Sequence, residues 1–306
     1  MANIYDYVRA VALVVGFLAV LWRDRKVWMK VDACVCMFYV VALIVFPGKY
    51  IRMQTTITTP DEFHIFIAQN VGFMLLSVVM LWYLLGNSRD ETFVGAFLIG
   101  RIVALAICDV TIIYGYLQYD KLSDKGLWFD LLGLVLHLIT AIVQYVRTRP
   151  VMGRREPKGA VTVIMHIQFL LQIFSGLFLL AFPKMFFKPL KNVPIDEVHM
   201  QYTRIIGAMA LGFGFMTWYS PAFRSNEDKI SFNIVGCLLP VIEVAVVGLS
   251  FLTGCLTNME IWKMMSVQIT MILPLLVVVL LKRAEKGHDS VDRVTTGGYY
   301  TRSKSN

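Results

Sequence analysis

The sequence predicts an all-α, polytopic transmembrane helical bundle of about nine spans, and three observations predict it. The chain is 57% hydrophobic and only 16% charged, with a mean hydropathy of +0.64; soluble domains run near half apolar and about a quarter charged. Apolar stretches of about 20 residues, enough to cross a bilayer core as a helix, recur along all 306 residues. One pattern is also written twice, offset by about 135 residues. Asp61-Glu62-Phe63-His64 returns as Asp196-Glu197-Val198-His199, Phe46-Pro47 as Phe182-Pro183, and Met80-Leu81-Trp82-Tyr83 as Met216-Thr217-Trp218-Tyr219.

The spans follow in order. Residues 4–22 are apolar after Asp6 and Arg9, with no small-residue cleavage site behind them, so they read as a first span and not a signal peptide. The next four, 27–46, 62–85, 92–117 and 127–146, form one module of helices A, B, C and D. The last four, 160–182, 199–219, 229–253 and 259–282, form a second. With four spans each, the modules point the same way, as parallel repeats do. The domain reading is a leading helix at 1–26, a first module at 27–147, a basic linker at 148–158, a second module at 159–283 and a disordered tail at 284–306.

Helix A ends at Phe-Pro, where a proline without an N–H favours a turn. Helix B opens on Asp-Glu, whose charge suits the positive end of a helix dipole. It closes on Trp82-Tyr83 or Trp218-Tyr219, and helix D opens near Trp128 or Trp262, as aromatic belts at both interfaces require. Tyr7-Val8-Arg9 matches Tyr202-Thr203-Arg204, so the first span reads as a third copy of helix B.

Basic residues set the orientation. With the N-terminus outside or lumenal and the C-terminus cytosolic, the inner segments carry 18 Lys and Arg against 7 outside, and the cluster from Arg147 to Lys158 is the densest. The net charge of +8 therefore reads as a topology signal and as contact with anionic lipid headgroups at the cytosolic face, not as nucleic-acid binding. The tail ends Arg302-Ser303-Lys304-Ser305-Asn306, weakly like a retrieval signal. The expected location is the endoplasmic reticulum or the plasma membrane.

Ionisable side chains in a membrane span mark a functional site or a buried pair. At 1.5 Å per residue, each module places polar groups from four helices about 10–15 Å below the outer face. These are Tyr39, Gln69, Asp109 and His137 in the first, and Ser175, Arg204, Glu243 and Gln268 in the second. Arg204 and Glu243 read as an ion pair, Asp109 and His137 as a titrating pair, and Arg101 as a side chain that snorkels to the cytosol. The level either glues helices together or binds a proton, a polar solute or a lipid headgroup. Against transport, Pro240 has no counterpart in the first module, so no symmetric pair of broken helices marks a site.

No His-Glu-x-x-His, Gly-x-Ser-x-Gly or Gly-rich phosphate loop occurs, so no enzyme is expected, nor any cofactor. Asp61, Glu62, Asp196 and Glu197 read as helix-start residues and no metal is expected; a metal site joining these acids to His64 and His199 is the minor alternative. The five cysteines read as free thiols.

In the second module, Phe174-Ser175-Gly176, Ala181-Phe182-Pro183, Arg204 to Gly207 and Met216-Thr217-Trp218 resemble the small four-helix membrane family that includes the p53-inducible membrane protein. The resemblance covers about residues 165–283, with the first module a diverged copy carrying Gln69 in place of the arginine. It implies a small integral membrane protein of regulatory or accessory type and carries over no catalytic or transport activity. The expected role is a non-enzymatic accessory or scaffold subunit of a membrane complex, with a protein partner and a lipid-handling task. The alternative is a transporter or channel for a small polar solute or proton at the Asp109 and Glu243 level.

Overall fold

The computed structural model describes residues 4–120, 122, 124–153, 160–187 and 195–252. Among them are ten α-helices: α1 (Ile4–Val20), α2 (Arg25–Val45), α3 (Pro47–Gln54), α4 (Glu62–Leu85), α5 (Glu91–Gln118), α6 (Asp124–Thr148), α7 (Ala160–Ala181), α8 (Pro183–Phe187), α9 (Glu197–Tyr219) and α10 (Asn226–Leu252). Helices occupy eight of the nine expected segments; 259–282 and the tail lie outside the described residues. Five stretches are long and apolar enough to cross a membrane: Arg25–Val45, Glu62–Leu85, Glu91–Gln118, Leu131–Thr148 and Thr162–Ala181. The protein is an all-helical, membrane-embedded bundle.

The surface agrees with that. Along α7, Val163, Ile167, Leu170, Phe174 and Leu177 are exposed, as are Met37, Phe38, Val41 and Val45 along α2. Apolar side chains of this size facing outward along whole helices are stable in lipid, where the surrounding chains are as apolar as they are.

The caps show why the helices begin where they do. Asp61 accepts from the His64 backbone N–H at 2.8 Å, and Asp90 from that of Thr92 at 2.8 Å. Asp196 forms a reciprocal capping box with His199. Each satisfies a backbone donor that has no partner inside the helix. One expectation needs amending. Pro47 and Pro183 do end α2 and α7, but each also begins a short helix, α3 and α8. Proline is well placed at a first helical position, where its missing N–H is not needed.

The two expected modules share one core. Helix α9 packs on α5, α7 and α4, and α10 packs on α4. One apolar cluster runs from Phe17 and Trp28 through Phe93 and Phe97 to Met216 and Val235. Helices α5 and α9 cross at close range. A Cβ on Gly100 would lie 2.7 Å from the Gly212 carbonyl oxygen, and one on Gly212 would lie 2.5 Å from that of Gly100. Only residues without a side chain allow this approach, the usual basis of tight packing between membrane helices.

Candidate functional site

Trp28, Asp32 and Cys36 follow one another at intervals of four along α2, so they share one face of the helix. That face is turned inward, and Asp32 is fully buried. Arg101 of α5 grips it from one side, with Nε donating to Oδ2 at 3.0 Å and Nη2 to Oδ1 at 2.7 Å. His137 of α6 approaches from the other, its Nε2 2.7 Å from Oδ1. Asp32 Oδ1 can only accept, so the His137 Nε2–H donates to it, and Arg101 Nη2, 3.5 Å from that nitrogen, donates to Asp32 instead. Phe17 of α1 stacks on the imidazole with centroids 4.5 Å apart. Trp28 Nε1 donates to Thr140 Oγ1 at 3.0 Å, and Thr140 donates to the His137 carbonyl, which holds the next turn of α6 in register.

Two members of this triad, Arg101 and His137, form a polar end of a cavity of about 170 Å³ lined by α2, α3, α4, α5, α6 and α9, and Asp32 lies behind them. Arg101, His137 and Cys36 lie at that end, and Leu75, Leu105, Leu134 and Met209 are among the apolar walls. A second polar group of Tyr50, Gln54, Thr55 and Gln201 also lines it. The space is therefore mostly hydrocarbon with a charged, internally neutralised end. Such a site suits a small apolar or amphiphilic group better than a hydrated ion.

The side chains expected at one polar level are not gathered into one site. Tyr39 lines the cavity. His137 pairs with Asp32 and Arg101, not with Asp109, and both carboxylate oxygens of Asp109 are buried without a hydrogen-bond partner. Asp109 does not line the cavity. Arg101 does not snorkel: it is 4% exposed and held by Asp32. Gln69 Nε2 donates to the Ile44 carbonyl, and Ser175 Oγ bonds within its own helix to Gln172. Arg204 donates to the Leu180 carbonyl and the Tyr119 hydroxyl and lies over the Tyr114 ring. Its expected partner Glu243 lies in α10, with its side chain outside the described residues, as is Gln268. The reason is geometric. Depth along an axis leaves direction around it open, and a helix turns about 100° per residue.

Asp32 is the residue that sequence reasoning missed. It sits among Arg25, Lys26 and Lys30, which makes it look like part of the interface. The available signal was charge balance: Arg101 is a cation deep in an apolar helix and needs a buried anion.

A second polar cluster lies where α4 and α9 begin. The His64 and His199 rings face each other with centroids 3.7 Å apart. His64 Nδ1 is 2.8 Å from Asp61 Oδ1, and His64 Nε2 is 3.3 Å from Asp196. His199 Nδ1 is 2.8 Å from Asp196 Oδ1, and His199 Nε2 is 3.7 Å from Asp61 Oδ1. Each histidine thus touches the acid that caps its own helix and approaches the acid that caps the other.

Fold and site together define a helical membrane protein with an interhelical, mostly apolar cavity ending at a buried ion-paired triad. The chain belongs to the family described as a domain of unknown function, DUF8292, whose model matches residues 30–280. No curated protein and no solved structure matches it.

Proposed function

We propose that this chain is a non-enzymatic, multi-pass membrane protein that holds a lipid-like amphiphile inside its bundle and serves as an accessory or scaffold subunit of a membrane complex. The observation that carries this reading is the 170 Å³ cavity, with apolar walls and Arg101 and His137 at its polar end. The triad neutralises itself, so it orders a polar headgroup by hydrogen bonds without demanding a counter-ion.

The finer topology belongs to the same proposal. It comprises nine spans, an outer or lumenal N-terminus, a basic cytosolic face on anionic lipid, residence in the endoplasmic reticulum or plasma membrane, and descent by duplication of a four-helix module related to the p53-inducible family. Paired contacts support the duplication. Gln69 and Arg204 bond equivalent carbonyls, and Gly72 and Gly207 lie against Ile44 and Leu180, two residues before each Phe-Pro.

The test is retention. Protein extracted into nanodiscs should carry a bound amphiphile visible by native mass spectrometry, and Val35→Phe, which adds bulk to the cavity wall, should abolish it while the fold is kept. Equal loads on wild type and variant would sink the reading. A chain that purifies from native membrane with no protein partner would remove the scaffold part alone.

The transporter reading rests on a different observation: His137, a titratable group, lies on the cavity wall in contact with Asp32. Proton flux into proteoliposomes that disappears in His137→Gln would favour it.

A further inference from the structure

The paired starts of α4 and α9 do more than cap two helices. His199 is 1% exposed, and its Nε2 is buried with no hydrogen-bond partner. Its Nδ1 has two neighbours that need opposite protonation. The Asp196 backbone N–H, 3.2 Å away, needs a lone pair there, and Asp196 Oδ1, 2.8 Å away, needs a proton. In the second state Nε2 is a bare lone pair 3.7 Å from Asp61 Oδ1. His64 is poised the same way: with its proton on Nε2, 3.3 Å from Asp196, its Nδ1 is a lone pair 2.8 Å from Asp61 Oδ1, on the side that His199 Nε2 approaches. A carboxylate behind one imidazole nitrogen with a free lone pair on the other is the arrangement that raises ligand basicity at protein zinc sites.

We propose that Asp61, His64 and His199 form a site for a divalent transition metal of the zinc class, with Asp196 as the group that orients both imidazoles. One ligand atom from each of the three lies within 4.8 Å of the others. Bonds of about 2.0–2.2 Å place tetrahedral ligands about 3.4 Å apart, so ring rotation and a shift of the Asp61 carboxylate close the site without moving a helix. Two nitrogens and one or two carboxylate oxygens suit zinc, whereas calcium and magnesium take oxygen shells. The two carboxylates, Asp61 and Asp196, match the charge of the dication. Phe63 stacks on His199 at 5.0 Å, and Phe187 lies edge-on at 6.4 Å, so the inner side is dry. Asp61, with 42% of its side chain exposed, is the way in. The metal would tie α4 to α9, and so the first half of the chain to the second.

The experiment uses the full chain in detergent micelles, stripped with a chelator and titrated with zinc against a chromophoric competitor. The expected result is about one zinc per chain, an affinity loss of at least about 100-fold in His199→Gln, and a smaller loss of about 10–100-fold in Asp196→Asn, the range for groups behind a ligand. Cobalt should give the visible absorption of a four-coordinate site. Ser175→Ala, far from the cluster, should bind as wild type does. Wild-type protein that binds no zinc overturns the proposal without reference to any variant. So does zinc binding that persists unchanged in a monodisperse His64→Ala/His199→Ala protein.

Discussion

Gln69 and Arg204 differ in charge and size, yet each donates to a main-chain carbonyl at the end of the preceding long helix. Gln69 reaches Ile44 and Arg204 reaches Leu180, both at 3.2 Å. Both carbonyls lie in the last turn of a helix that stops at Phe-Pro, where the intrahelical donor is missing. A carbonyl left bare in hydrocarbon is costly, so the position calls for a donor of sufficient reach and not for a particular residue.

The first prediction follows from that. Gln69→Leu should cost about 0.6–2 kcal/mol, the range for one hydrogen bond between membrane helices. Arg204→Leu should cost more, because Arg204 also holds Tyr119 and Tyr114, and Arg204→Gln should fall between wild type and Arg204→Leu. Unfolding of the detergent-solubilised protein measures all three. An Arg204→Gln protein as unstable as Arg204→Leu would show that the carbonyl contact contributes nothing.

The second concerns Asp32 and Arg101. Removing either partner leaves an uncompensated buried charge, so Asp32→Asn and Arg101→Met should each cost about 3–5 kcal/mol. The double variant Asp32→Leu/Arg101→Met leaves no such charge and should be much less damaged than the sum of the singles. His137→Gln removes one bond to a charged acceptor and should cost about 1.5–3 kcal/mol. The coupling in this double-mutant cycle is the decisive quantity. Additive losses would mean that the 2.7 Å contact does not set the stability of the bundle.

The triad also shows what the sequence conceals. Helix limits were legible because local chemistry fixes them: Asp61 and Asp196 cap, Phe46-Pro47 and Phe182-Pro183 stop. The duplicated donors at 69 and 204 were legible because they lie at the same distance into each helix. What could not be read was direction. His137 and Asp109 match in depth but face different neighbours, and Asp32, 69 residues from Arg101, meets it only after α2 and α5 have packed. The histidines at 64 and 199 were visible as a repeated motif. Their ring-to-ring contact was not, because it depends on α4 and α9 lying side by side, a contact between the two halves of the chain.

A third prediction tests the α5–α9 crossing. Gly212→Val puts side-chain carbons against the Gly100 carbonyl and the Ala104 methyl. Backbone on one side and a neighbouring helix on the other cannot yield, so the helices must separate and the protein should lose its monodisperse elution. Gly48→Ala is the contrast: a Cβ there meets nothing within 4 Å, and alanine favours helix by about 0.5–1 kcal/mol. It should leave stability unchanged or raise it slightly. Matched losses in the two variants would contradict the close approach.

The last prediction concerns acid. Burial alone would raise the Asp61 carboxyl. The His64 backbone N–H and the His64 and His199 rings outweigh that and hold its pKa below the ordinary 3.8. A folded-state pKa below the unfolded one means the ionised cap contributes stability above pH 3.8, and the contribution fades as pH falls through the lowered value. In chelator, which removes any metal effect, Asp61→Ala should cost about 0.5–2 kcal/mol at pH 7, the usual range for a lost N-cap. The gap to wild type should then narrow as pH drops below 3.8, where the protonated carboxyl is a weaker acceptor in both the cap and the histidine contact. Melting temperatures of the two proteins from pH 7 to pH 3 provide the measurement. A gap that stays constant over that range would mean the cap works by shape alone, and the charge of Asp61 would have no part in holding α4 beside α9.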